Sequence, residues 1–203
     1  KLEKLLGEYN KLELEKAIDF EKFNLYSLVH HSTTIEGNTL TEGETITLLD
    51  KGLTAQGKPL EHSLMVQDCY KALLFVKGKA KEKTLVSSDL LKNINELVCK
   101  KTGQILNTPL GVVDGTKGEY RKSASHAQGG GYYLSHEKIP KEIENLCKEL
   151  NEKLKKTKTI QEKYKLSFDA HYNLVTIHPW IDGNGRTARL LMNYIQLYCD
   201  VPM

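Results

Sequence analysis

The stretch His178-Pro179-Trp180-Ile181-Asp182-Gly183-Asn184-Gly185-Arg186-Thr187-Ala188-Arg189 gathers a base, a carboxylate, two glycines, an amide and two arginines between two runs of helical periodicity. Few purely structural loops need that mixture. Pro179 disfavours helical geometry at the residue before it, so the incoming helix is expected to end near His178 and to present its imidazole at the rim of the loop. A second helix is expected to start around Asn184 to Arg186, with its unpaired backbone N–H groups and positive dipole end facing the same loop, which makes an anion site. Gly183 and Gly185 let phosphate oxygens approach the backbone where a Cβ would stand in the way. Arg186 and Arg189 lie three apart on the new helix, on one face, within reach of a polyphosphate. Asp182 supplies a single carboxylate, the sparse ligation that Mg²⁺ accepts when nucleotide oxygens and water complete its shell.

Outward from this segment, apolar residues recur at helical spacing through Leu2–Ile18, Phe20–Ile35, Thr45–Leu49, Leu64–Phe75, Leu90–Val98, Ile143–Leu154, Tyr164–Ile177 and Thr187–Tyr198. The periodicity predicts a mainly α protein. Gly52 to Pro59, Lys77 to Ser88 and Thr102 to Gly118 read as links, the lysine-rich part of the second as a solvated loop. Tyr120 to Gln128 and Tyr132 to His136 flank Gly129-Gly130-Gly131, a pattern that predicts a glycine-turned β-hairpin. No internal repeat is present.

Composition narrows the classes. A chain of 203 residues fits one domain, and its apolar runs fall short of a membrane span. The formal charge of +3 is too small and too scattered to call for nucleic acid. The four cysteines, Cys69, Cys99, Cys147 and Cys199, are too dispersed for a metal knuckle or a disulfide scaffold, so a reducing cytoplasm is expected. The chain begins at Lys1 rather than methionine, so a targeting segment removed from it stays open. Of 29 basic residues only Arg121, Arg186 and Arg189 are arginines, and all three fall in segments with chemical character. A lysine-rich chain that keeps arginine there points to planar, two-pronged contacts with phosphate or carboxylate. His30, His31, His62, His126, His136 and His171 form no recognisable zinc set. His171 shares a helix face with His178 and is expected to pack beneath it.

The motif matches the Fic signature HxFx(D/E)GNGRxxR at every defined position except Trp180, which stands where phenylalanine is usual and is expected to be absorbed by local repacking. The chain resembles that family from about Phe20 to its end. The resemblance implies a Fic-type helical domain with a β-hairpin flap, spanning residues 1–203 as one domain, with the family's final helices missing beyond Met203. It also implies that His178 is the general base toward a Ser, Thr or Tyr hydroxyl and that Asp182 binds Mg²⁺. Gly183, Asn184, Gly185, Arg186 and Arg189 would hold the phosphates of ATP, with attack at the α-phosphorus. Gly118-Glu119-Tyr120-Arg121 resembles the lead-in of the flap, which would pair with an extended target segment through Arg121, Lys122, Ser123, Ala124, Tyr132 and Tyr133; the common flap proline pair is absent.

Upstream, Ser32-Thr33-Thr34-Ile35-Glu36-Gly37-Asn38 resembles the inhibitory (S/T)xxxE(G/N) motif of the class II subgroup, whose inhibitory helix, here about residues 20–36, precedes the core. Gly52-Leu53-Thr54 and Gly57-Lys58-Pro59-Leu60 extend that likeness. Glu36 would pair with Arg189 and draw it from the γ-phosphate. Three readings stay open at this point: a protein adenylyltransferase autoinhibited by Glu36, an AMP-removing hydrolase on the same scaffold, and a catalytically silent binding module. A different nucleotide donor, self-modification and a homodimer also stay open. Membrane partners are not expected, and nucleic acid would enter only through a missing C-terminal domain.

Overall fold

The computed structural model describes residues 1–12, 19–127 and 129–203. Its elements are α1 (Leu2–Lys11), α2 (Phe20–Thr34), α3 (Glu42–Lys51), α4 (Leu60–Lys81), α5 (Ser88–Val98), β1 (Ile105–Thr108), β2 (Gly111–Asp114), α6 (Ile139–Lys156), α7 (Ile160–Ile177) and α8 (Asn184–Tyr198). Residues 13–18 of the expected helix Leu2–Ile18 and Gln128 of the expected hairpin lie outside the described residues. Among the described residues no helix is long and apolar enough to cross a membrane.

Helix ends follow local chemistry. Thr41 and Glu44 close a capping box at the start of α3, and Thr159 and Glu162 do the same for α7. Ser87 caps α5 and Asp19 caps α2 through side-chain oxygens. α4 runs to Lys81, through Lys77 and Gly78, which the sequence places in a loop. Val76 and Ala80 explain the difference: both are completely buried, and that packing outweighs the roughly 1 kcal/mol helix penalty of one glycine.

α8 is the central element. It packs on α7, α4 and α5, and buries Leu190, Leu191, Tyr194 and Ile195 in a core shared with Val66, Leu73, Leu91, Ile94, Ile143 and Leu174. Its N-terminus therefore has a fixed position, and the loop that joins it to α7 inherits that rigidity.

The only β-ladder among the described residues is not where the glycine pattern predicts it. β1 and β2 pair antiparallel, Ile105 with Asp114 through Thr108 with Gly111, inside the segment read as a link. The signal was Thr108-Pro109-Leu110-Gly111, with proline and glycine at the second and fourth turn positions and the Thr108 hydroxyl donating to the Gly111 carbonyl at 2.7 Å. Ile105, Leu106 and Val112 are exposed, so no alternation marked the strands. Residues 120–136 do fold back at the glycines, with Gly129 and Gly130 at φ 108° and 104°. They form one isolated bridge, His126 with Tyr132, plus Ala127 N–H to Gly131 O at 2.7 Å and Tyr133 N–H to Ser125 O at 3.0 Å. The small polar run Lys122-Ser123-Ala124-Ser125 has weak strand preference, so the return is a pinned loop and not a ladder.

Candidate active site

His178 is the C-cap of α7, in the left-handed region at φ 52° and ψ 60°, with its N–H bonded to Leu174 O at 3.0 Å. For a residue with a Cβ that geometry costs on the order of 1–3 kcal/mol and persists only where neighbours enforce it. Arg121 enforces it. Its Nε donates to the His178 carbonyl at 2.7 Å and its backbone N–H to the Pro179 carbonyl at 2.9 Å. The same guanidinium donates to Ser123 O at 2.6 Å and to Leu134 O. The imidazole Nδ1 is buried without a partner in hydrogen-bond geometry, which leaves Nε2 as the nitrogen available to a ligand. Burial lowers the ring's pKa below its usual value. The nearby Val175 carbonyl, outside hydrogen-bond geometry, and Glu36 oppose that shift, and the Arg121 charge adds to it. The Tyr133 ring stacks on the imidazole, with centroids 3.8 Å apart and planes 10° apart.

The loop from Pro179 to Gly183 is closed by its own side chains. Asn184 uses both ends of its amide on Trp180, accepting from the backbone N–H at 3.0 Å and donating to the carbonyl at 2.9 Å. The Trp180 ring is buried, and its Nε1–H finds the Gly118 carbonyl at 3.1 Å, a bond that phenylalanine could not make. Asp182 Oδ1 accepts from the Gly183 N–H at 2.6 Å, and Oδ2 accepts from Arg186 Nη2 at 3.1 Å; its side chain remains 47% exposed, so the carboxylate faces solvent. Gly183 sits at φ 73°, and a Cβ there would lie 2.6 Å from Cys99 Sγ and 2.9 Å from Asn95 Nδ2. Asn95 in turn donates to the Asp182 carbonyl at 3.1 Å and to Thr187 Oγ1 at 3.2 Å.

On the far side of the α8 N-terminus, Arg189 meets the end of α2. Its Nε donates to Ser32 Oγ at 2.9 Å, and its Nη2 to Ser32 O at 2.8 Å and to Glu36 Oε1 at 2.6 Å. Glu36 lies in the turn just past Thr34, not in the last helical turn, and Gly37 at φ 89° sends the chain onward. A Cβ on Gly185 would overlap the Glu36 carboxylate, so this glycine admits an anion to the helix N-terminus, and here the anion is Glu36.

The sequence-predicted residues thus divide. His178, Asp182, Gly183, Gly185, Arg189, Ser32 and Glu36 converge on one helix start. Asn184 and Arg186 do not face the cleft as expected. Asn184 is spent on Trp180, and the buried Arg186 guanidinium holds Asp182 and, at 3.3 Å, the Val98 carbonyl. Three-residue spacing left Arg186 and Arg189 on different neighbours. Arg121, expected to meet a target, is 2% exposed and acts as a strut. Lys122, Ala124 and Tyr132 are exposed, Ser123 is half-buried, and Lys122 Nζ reaches Val112 O at 3.0 Å. Half-buried His171 has its pKa lowered by burial and by the Arg189 charge. No group of three or more His, Cys, Asp or Glu able to hold a metal occurs among the described residues.

The sequence gives no sign of Asn95, and marks Gly118 only as part of the flap lead-in. Asn95 is one buried amide in an otherwise apolar helix face, a signal that needs the face to be known first. Gly118 sits at φ 64°, where a Cβ would overlap the Lys92 carbonyl oxygen. Gly118→Ala is expected to lower stability by about 2–4 kcal/mol through strain and overpacking, read as a shifted urea midpoint at constant m. An unchanged midpoint would show the Trp180 acceptor to be held in some other way.

A profile of the Fic/DOC family matches residues 85–196, more than half of the chain. The chain is 31% identical over 199 residues to protein adenylyltransferase fic-1 of Caenorhabditis elegans, covering 98% of itself and 37% of that protein. It spans well under half the length of this and other curated relatives. A Fic domain containing signaling protein from Bacteroides thetaiotaomicron superposes with a TM-score of 0.79 at 26% identity, covering 99% of this chain and 74% of that one. Fic-1 from Caenorhabditis elegans does so with a TM-score of 0.74 at 28% identity, covering 97% and 54%. With the signature loop, the helix start and the overall superposition in agreement, the chain belongs to the Fic/DOC family.

Proposed function

We propose that this chain is a class II Fic protein adenylyltransferase, which moves AMP from ATP to a hydroxyl of a protein, its own chain included, and is held back by Glu36. The observation that carries the reading is the meeting at one loop of a partly buried imidazole, a solvent-facing carboxylate and a helix N-terminus already neutralised by an acidic side chain. Curated relatives named protein adenylyltransferases point the same way.

In this reading Nε2 of His178 takes the proton of the target hydroxyl as its oxygen bonds to the α-phosphorus, and the bond from that phosphorus to the bridging oxygen of pyrophosphate breaks. The backbone amides at the start of α8 and the Arg189 guanidinium receive the phosphate charge, so catalysis is chiefly positioning and electrostatic stabilisation with one proton transfer. Mg²⁺ fits the donor set. Asp182 is one half-exposed carboxylate, oriented by Gly183 N–H and Arg186, and Mg²⁺ commonly takes one or two carboxylates while nucleotide oxygens and water fill its remaining positions. When bound, the ion would neutralise charge on the departing pyrophosphate. Four free thiols, three of them buried, are consistent with a cytoplasmic setting.

ATP labelled separately at the α- and γ-phosphates, incubated with the chain, Mg²⁺ and a cell lysate, distinguishes nucleotidyl from phosphoryl transfer. The α-label is expected on protein and the γ-label in pyrophosphate. Retention of the γ-label on protein would overturn the proposal.

A further inference from the structure

The His178 ring makes no hydrogen bond of normal geometry, although the Val175 carbonyl lies near enough to favour its charged form. Nδ1 has no partner within hydrogen-bond geometry, and what Arg121 holds of His178 and Pro179 is their backbone, not the ring. A catalytic imidazole ordinarily owes its orientation to a bond made by the second nitrogen. Here one face of the ring is covered instead by Tyr133 at 3.8 Å, nearly parallel.

The stack is enforced from behind. Tyr133 N–H is tied to Ser125 O at 3.0 Å, and the carbonyl of the next residue, Leu134, accepts from Arg121 Nη2. The Nε of that same guanidinium holds the His178 carbonyl at 2.7 Å. One planar, rigid fork therefore holds the backbone of His178 on one side and that of Leu134, the residue after Tyr133, on the other, which limits how far the two stacked rings can part. A flap loop with a single bridge would not hold a ring in register with the motif loop without such a tie.

We propose that Tyr133 is a positioning residue, which aims Nε2 of His178 at the incoming hydroxyl by closing one face of the imidazole. The inference rests on His178 being the base. The Nε2 lone pair lies in the ring plane, so holding that plane against Tyr133 sets the line along which the target oxygen must approach. The π-face of the phenol also favours the imidazolium that forms as the proton arrives. The ring, not the hydroxyl, does this.

Tyr133→Phe and Tyr133→Ala in a Glu36→Gly background test it. The phenylalanine variant is expected to stay within about twofold of its parent. The alanine variant should lose roughly tenfold or more in kcat with KM for ATP unchanged, as misaimed bases do. A second readout needs no turnover: the ring-current displacement of the His178 ring protons in NMR spectra should persist in Tyr133→Phe and vanish in Tyr133→Ala. Full kcat in the alanine variant, or imidazole resonances unmoved by it, would overturn the proposal. Absence of transfer in the Glu36→Gly parent would instead strike at the adenylyltransferase reading, while the NMR arm still reports on the stack.

Discussion

Replacing Glu36 with glycine is expected to raise AMP incorporation into protein at least about tenfold, equivalent to lowering the barrier by roughly 1.4 kcal/mol or more. The Glu36 carboxylate stands over Gly185, at the N-terminus of α8, and is bonded to Arg189 Nη2 at 2.6 Å. That place and that guanidinium are the two features best suited to the distal phosphates of a nucleotide. A triphosphate arriving in a productive pose has to displace a carboxylate already in charge-assisted contact, or sit elsewhere. Side-chain exposures of 18% for Arg189 and 31% for Glu36 place the pair between a screened surface bridge and a buried one, so its removal matters more than surface pairs do.

The fold should survive the change. Arg189 keeps two bonds to Ser32, at 2.9 and 2.8 Å, and Glu36 lies in a turn beyond the helix. Glu36→Gln separates shape from charge: an amide retains the bulk over Gly185 and loses the ion pair, so intermediate activation is expected. The measurement is incorporation of α-labelled ATP per unit time at fixed protein. Equal labelling by Glu36→Gly and the parent chain would remove the inhibitory role of Glu36.

Such a contact is legible in the sequence because Ser32, Glu36 and Arg189 each sit in a short pattern whose chemistry is specific. The motif loop was legible for the same reason. What stayed hidden depended on direction. Asn184 and Arg186 carry polar groups suited to phosphate, and nothing in their spacing says that one closes on Trp180 while the other dips beneath the loop toward Val98. Arg121 stands out in the sequence as one of three arginines, but its guanidinium is bonded to three backbone carbonyls in the interior, which only the path of residues 121–134 reveals. The helices were readable from periodicity because their apolar faces are buried. The β1–β2 hairpin was not, since its side chains are mostly exposed and a turn motif was its sole mark.

His178→Ala in the Glu36→Gly background is expected to reduce transfer by about 10²–10⁴, the usual worth of a positioned general base. Nucleotide binding should be unchanged, because the amides at the start of α8 and Arg189 do not depend on the imidazole. The pH profile gives the sharper test. The neutral ring is the form that accepts a proton, so activity falls as pH drops through the ring's pKa. An ordinary imidazole would place that fall near about 6.5. Burial lowers the pKa here, foremost among the causes, so the acid limb should lie below that value. Glu36 is among the groups that favour the protonated ring, so its removal should carry the limb lower still. An acid limb at or above the ordinary imidazole value in Glu36→Gly, or transfer that survives His178→Ala, would mean that the proton leaves the target by another route.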